Sequence, residues 1–219
     1  MSNKTNFLIS GIETGKLNAM VKNVMLQTGI IDPKEAVRMM NAGELQVSLI
    51  KPRWREKDGI IYFSVTSDGT TGEEWIARLE GKGFRVSDYA KKILCSKEFK
   101  PTSGVTTEIA VLKGLLFEDS DRITRKIRAF AVRRKFKIPN SEVACLIREV
   151  FSDKELEEAM GLTWIAVMHK SIKDSNGDLR LLRVDCLDGG SWLSTNYSGP
   201  GRRWNGLGGF AFALSQMSS

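Results

Sequence analysis

Histidine occurs once in this chain, at His169, and cysteine three times, at Cys95, Cys145 and Cys186. The cysteines are odd in number and far apart, so no disulfide framework is visible, and one histidine leaves too few ligands for a zinc site. Cys95 and Cys145 stand in apolar helical contexts and are expected to be small core residues, whereas Cys186 lies in a loop-rich stretch and is expected to be exposed. No apolar run approaches the roughly 18 residues needed to cross a bilayer. The opening ten residues hold one lysine and only the patch Phe7-Leu8-Ile9, too short for the apolar core of a signal peptide. A cytoplasmic protein with no membrane partner is expected.

Catalytic signatures are also missing. Gly72, Gly81 and Gly83 do not form a phosphate-cradling pattern, and no carboxylate pair has a spacing that suggests acid/base work. His169 follows an apolar stretch and has no serine or cysteine in a nucleophile motif, so a structural or surface histidine is expected. No catalytic residue, metal ligand or cofactor is nominated, and a non-enzymatic protein is expected.

Charge is present but concentrated. The formal net charge is +7, yet Arg122 to Lys137 alone holds eight cations and no anion. At helical spacing Ile123, Ile127, Phe130 and Ala131 form an apolar face, and the cations fall on the other. Such a segment reads as a solvated helix face, as a phosphate-binding surface or as a contact for an acidic protein. For nucleic acid, the candidate contacts are Arg122, Arg125, Arg133 and Arg134.

Periodicity and capping signals give the elements. Helical spacing covers 16–27, and Asp32-Pro33-Lys34-Glu35 opens a second helix that stops near Gly43. Alternation at Leu45, Val47 and Leu49 predicts a strand pairing with 60–65 through a turn at Lys57-Asp58-Gly59. Helices follow over 70–80 and 87–95, then a turn at 101–104 and a strand over 106–113. Asp119-Ser120-Asp121 is expected to cap a helix through Lys135. A further helix starts at Pro139-Asn140, and Ser152 to Glu155 is a capping box for a short one ended by Gly161. After residue 161 only strands and loops are predicted. Thr163 to Met168 pairs with Leu179 to Val184 across Asp174-Ser175-Asn176-Gly177-Asp178. That pentapeptide loosely resembles a calcium loop but reads as a hairpin turn. The fold class is α+β, divided into a mixed α/β region (1–161) and a β-rich end (162–219). The end is small for independent stability and is expected to pack on the rest.

The β-rich end carries the pattern most suggestive of function. Trp192 and Trp204 are large anchors in a run of small and polar residues, and Gly209 to Leu214 reads as a buried strand. The stretch 194–208 reads as loop apart from Pro200 and Trp204. Ser191, Ser194, Thr195, Asn196, Tyr197, Arg202, Arg203, Asn205 and Leu207 are the residue types of adaptable binding loops, or of an irregular surface loop.

Gly189-Gly190-Ser191-Trp192, Pro200, Arg203 and Gly209-Phe210-Ala211-Phe212 resemble the C-terminal core of the C-type-lectin-like fold of formylglycine-generating enzymes. They resemble more closely the variable proteins of diversity-generating retroelements, which use that fold and randomise scattered codons by adenine-directed mutagenesis. The resemblance covers about the last 55 residues. Ala211 stands where the enzymes have arginine, and no cysteine pair matches their catalytic pair. The resemblance implies a scaffold of Gly190, Trp192, Leu193, Pro200, Trp204, Gly209, Phe210 and Phe212. It implies diversified, ligand-contacting positions among Asp185, Cys186, Ser191, Ser194, Asn196, Tyr197, Arg203, Asn205, Leu207 and Gly208. Trp204-Asn205-Gly206 is similar to a lectin calcium motif but lacks its acidic ligand, so no calcium is expected. The implied partner is a protein or other macromolecular ligand, with nucleic acid at the basic helix as the alternative. The N-terminal region would then support, dock or oligomerise the binding end.

Overall fold

The computed structural model describes residues 21–22, 25–26, 28–44, 53–174, 176–187 and 190–214. The chain divides into two units, Met1–Lys51 and Pro52–Ser219. In the first, Val21, Lys22, Met25 and Leu26 are helical, as their spacing predicts. Helix α1 (Pro33–Asn41) starts where expected, with the Lys34 amide donating to Asp32 Oδ1 at 2.9 Å. The strand expected over 45–49 lies outside the described residues.

Among the described residues, the second unit is a mixed α/β fold on one nine-stranded sheet. The strands are β1 (Trp54–Lys57), β2 (Ile60–Asp68), β3 (Arg85–Val86), β4 (Ser103–Lys113), β5 (Trp164–Val167), β6 (Ile172–Lys173), β7 (Leu179–Leu187), β8 (Gly190–Tyr197) and β9 (Gly209–Ala213). Their order is β1-β2-β4-β9-β5-β7-β8-β3, and β6 pairs with β7. The helices are α2 (Gly72–Gly81), α3 (Asp88–Leu94), α4 (Thr124–Arg133) and α5 (Val143–Val150). Among the described residues no helix is long and apolar enough to cross a membrane.

Both faces of the central strands are buried. Alternate residues feed two cores: Ile61, Phe63, Val65, Ile109, Val111, Ile165 and Val184 meet α2, α3 and α5 on one face. Ile60, Ala110, Leu112, Trp164, Phe210 and Phe212 meet Ile127 and Ala131 of α4 on the other. A strand covered on both sides needs no polar alternation, which is why β5 reads as a continuous apolar run.

Strand β9 lies between β4, to which it is antiparallel, and β5, to which it is parallel. Strands from before and after residue 161 therefore share one hydrogen-bonded sheet, and the compositional boundary expected there is not a seam between sheets. The β-rich end is sheet interior for the whole unit.

Three local expectations change. The partner of β2 across Asp58-Gly59 is β1, whose sequence Trp-Arg-Glu-Lys is exposed after half-buried Trp54 and carries no apolar alternation, in keeping with its place at the edge of the sheet among the described residues. Asp58 and Gly59 have φ of 53° and 72°, the paired positive values that suit a two-residue hairpin. Helix α4 begins at Thr124 rather than after Asp121, because its free amides are met by another segment: Thr124 and Arg125 N–H donate to the carbonyls of Arg202 and Pro200 at 3.1 and 3.0 Å. Finally, β8 extends through Tyr197, so the loop spans 198–208 only. Two cysteines also exchange roles. Cys95, at the C-terminal cap of α3, is exposed, whereas Cys186 is buried because β7 turns it into the core under α5.

Candidate ligand-binding face

Pairing registers decide which side chains of the β-rich end meet. Directly opposite residues share a face. Trp164, Asp185, Trp192 and Arg85 are opposite one another along β5, β7, β8 and β3, as are Ala166, Arg183 and Ser194, while Leu181 faces Asn196. This is the face that α4 covers over β4 and β9. Over β7 and β8 it carries half-buried Trp192, Ser194 and Asn196.

On the same face, over β5 and β9, lies an aromatic stack. The rings of Trp164, Trp204 and Phe210 are 5.4 to 5.5 Å apart pairwise. The Trp204 indole N–H donates to Thr124 Oγ1 at 3.0 Å, which ties the loop to α4. Asn205 Oδ1 accepts from the Trp164 indole and the Leu207 amide at 3.0 and 3.1 Å. The loop is thus held at Pro200, Arg202, Trp204 and Asn205, and it exposes the side chains of Arg203 and Leu207. The scaffold residues Leu193, Trp204, Gly209, Phe210 and Phe212 are all buried, and Pro200 acts through its carbonyl.

Asp185 is 1% exposed. It accepts the Ser194 hydroxyl, and its other oxygen lies 2.7 Å from Arg183 Nε without hydrogen-bond alignment. Burial raises its pKa, and the Arg183 guanidinium opposes that rise. The guanidinium of Arg183 also lies over the Trp164 ring, and that of Arg85 over Trp192. The accessible part of this face is therefore an aromatic and cationic patch with two short polar side chains, Ser194 and Asn196.

Comparison with protein-family models, curated proteins and solved structures found no match.

Several residues nominated for ligand contact stand elsewhere. Strand alternation sends Ser191 and Tyr197 to the opposite face from Ser194 and Asn196. The Ser191 hydroxyl donates to Asp153 at 2.6 Å, and Asp153 pairs with the fully buried Arg148 at 2.7 Å. The Arg180 guanidinium, which Asp174 holds by an ion pair, lies 4.4 Å from the Tyr197 ring centre and 4.0 Å from that of Tyr89. Cys186 is buried and its thiol pKa is pushed up to about 12 by burial, then by Asp153. Gly208 is scaffold: a β-carbon there would lie 2.0 Å from the Trp164 ring. The Asp174 carboxylate also accepts the Asn176 and Asp178 amides and so makes the turn read from the sequence.

The basic helix is corrected in the same way. Arg122 is 8% exposed and donates to the carbonyls of Gly114 and Phe117 at 2.9 and 2.7 Å, so it is a structural brace. Arg125, Arg133 and Arg134 remain exposed. The residues missed by sequence reasoning are Trp164, Arg183 and Arg85. Arg183 was available as the polar position between Leu181 and Asp185 on a strand. Trp164 and Arg85 gave no signal, because only the register brings them to this face.

Proposed function

We propose that the chain is a non-enzymatic binding protein that presents ligand-contacting residues on a fixed scaffold, in the manner of the C-type-lectin-like variable proteins of diversity-generating retroelements. One observation carries the reading. Ser194 and Asn196 on β8, with Arg203 and Leu207 on the loop, are at least partly solvent-accessible beside a stack of buried aromatics built from other residues. Such a division lets recognition residues change while the fold persists. The diversified set narrows to Ser194, Asn196, Arg203 and Leu207, with Trp192, Arg183 and Arg85 as constant parts of the surface. The ligand class is a protein or another macromolecule broad enough to cover the face.

The test is the encoding locus. A near-copy of the last coding stretch beside a reverse transcriptase is expected. Its differences should fall on adenines in the codons of these four residues and spare Gly208, Trp204, Phe210 and Cys186. A locus without such a copy refutes the hypervariable role.

The second reading is nucleic-acid association through α4. Exposed Arg125, Arg133 and Arg134, which have no ion pair among the described residues, favour it. Duplex binding should then fall steeply with salt and be lost on charge reversal of Arg133 and Arg134. Binding that ignores salt, or survives the reversal, excludes it.

A further inference from the structure

Arg128, on α4, holds a charge whose hydrogen bonds among the described residues go to neutral groups. Its Nη1 and Nη2 donate to the backbone carbonyls of Met168 and His169 at 3.1 and 2.9 Å. No ion pair to it occurs among the described residues, and burial lowers its pKa with no carboxylate to offset the loss of solvent. Partly desolvated charges in proteins ordinarily find a counter-charge.

Arg128 lines a recess of about 480 Å³ between the first turn of α4, the β6–β7 hairpin and the start of the 198–208 loop. Exposed Arg125 and Lys170 line it too, and no carboxylate does among the described residues. Glu98 belongs to an adjoining recess that shares Ile138 and Lys170. Ser171 and Ser198 add hydroxyls, hydrogen-bonded to each other at 2.7 Å. Ile138 and Leu179 expose apolar surface there, 59% and 39% accessible. The amides of Thr124 and Arg125 are already taken by loop carbonyls, so the start of α4 leaves neither of them for an anion.

We propose that this recess binds a small phosphate monoester with an apolar body, its phosphate paired by Arg125, Arg128 and Lys170 and its body against Ile138 and Leu179. The Arg125 guanidinium fork, the N–H groups of Arg128 not given to Met168 and His169, and the Lys170 ammonium suit a dianionic tetrahedral group. The volume is that of a small-molecule site, not a polymer track. The recess shares no side chain with the face formed by Ser194 and Asn196, so this proposal does not depend on the hypervariable reading.

The test is calorimetric titration of the full chain with phenyl phosphate, inorganic phosphate and phenol. Phenyl phosphate should bind one to one, about tenfold or more tighter than either half alone. The Arg125→Glu/Lys170→Glu double variant should lose about tenfold or more in affinity. The Arg133→Glu/Arg134→Glu variant makes the same charge change elsewhere on exposed positions and should stay within about twofold. Arg128→Gln should lose affinity as the first variant does, with thermal unfolding showing that each variant folds. Absence of binding, equal binding of phenol, or equal loss in both double variants overturns the proposal. So does an oligonucleotide that binds through Arg125 and Lys170 more tightly than phenyl phosphate.

Discussion

His169 makes the stability of this protein depend on pH in a calculable way. It is 1% exposed, and both ring nitrogens are committed: Nε2 accepts the Leu182 amide at 2.9 Å, and Nδ1 lies 2.7 Å from the Lys170 carbonyl. The Leu182 donor assigns the neutral form protonated on Nδ1. A second proton on Nε2 would break that bond and bury a charge. Burial first, and Arg128 secondarily, lower the pKa from 6.5 to about 4, against the opposing Lys170 carbonyl. The unfolded chain takes up a proton near pH 6.5 that the folded chain refuses until about pH 4, so stability falls as pH drops through that window. Between about pH 7.5 and about pH 4.5 the loss from this residue is about 2–3 kcal/mol. Other groups act nearby: burial raises the Asp185 pKa, which favours folding as pH falls, whereas hydrogen bonds hold Asp68 at about 2. Urea unfolding of wild type and His169→Gln at both pH values isolates the histidine, and the variant should lack this part of the pH dependence. Because the chain has one histidine, its imidazole can also be titrated by NMR without assignment. A native titration near 6.5, or the same pH slope in the variant, refutes the reasoning.

Four further outcomes are expected. Gly208→Ala should cost about 1–3 kcal/mol in chemical unfolding, because its new methyl overlaps the Trp164 ring, whereas Asn196→Ala and Leu207→Ala should stay within about 0.5 kcal/mol. Phe210→Ala should cost about 3–5 kcal/mol, since it removes the ring at the junction of Trp164, Trp204 and Phe117. Arg122→Gln should lower the denaturation midpoint by more than Arg133→Gln, because only Arg122 braces buried carbonyls; equal effects would contradict its structural role. Thr71→Ala should cost about 1 kcal/mol by removing the hydroxyl that accepts the Glu74 amide at the start of α2, while the Thr71 amide keeps its bond to the Glu74 carboxylate.

Much of the local structure was legible because it rests on short-range chemistry. Thr71, Ser87 and the Ser152–Glu155 box satisfy helix amides a few residues away, and Asp174 makes its own turn. The apolar strand 209–213 and the anchoring role of Trp204 were legible from size and hydrophobicity. What the sequence could not carry is pairing across long separations. Nothing local indicates that β9 sits between β4 and β5, that Arg202 and Pro200 carbonyls cap α4, or that Arg85 arrives beside Trp192 through a two-residue strand. The candidate site shows the same division. Composition marked the stretch that holds Ser194, Asn196, Arg203 and Leu207, but it could not separate them from Ser191, Tyr197, Cys186 and Gly208. A one-residue step along a strand reverses the face, and the space beside a glycine is set by a ring more than forty positions away. Residue identity determined which elements form; hydrogen-bond register and packing between distant segments decided which side chains share a surface.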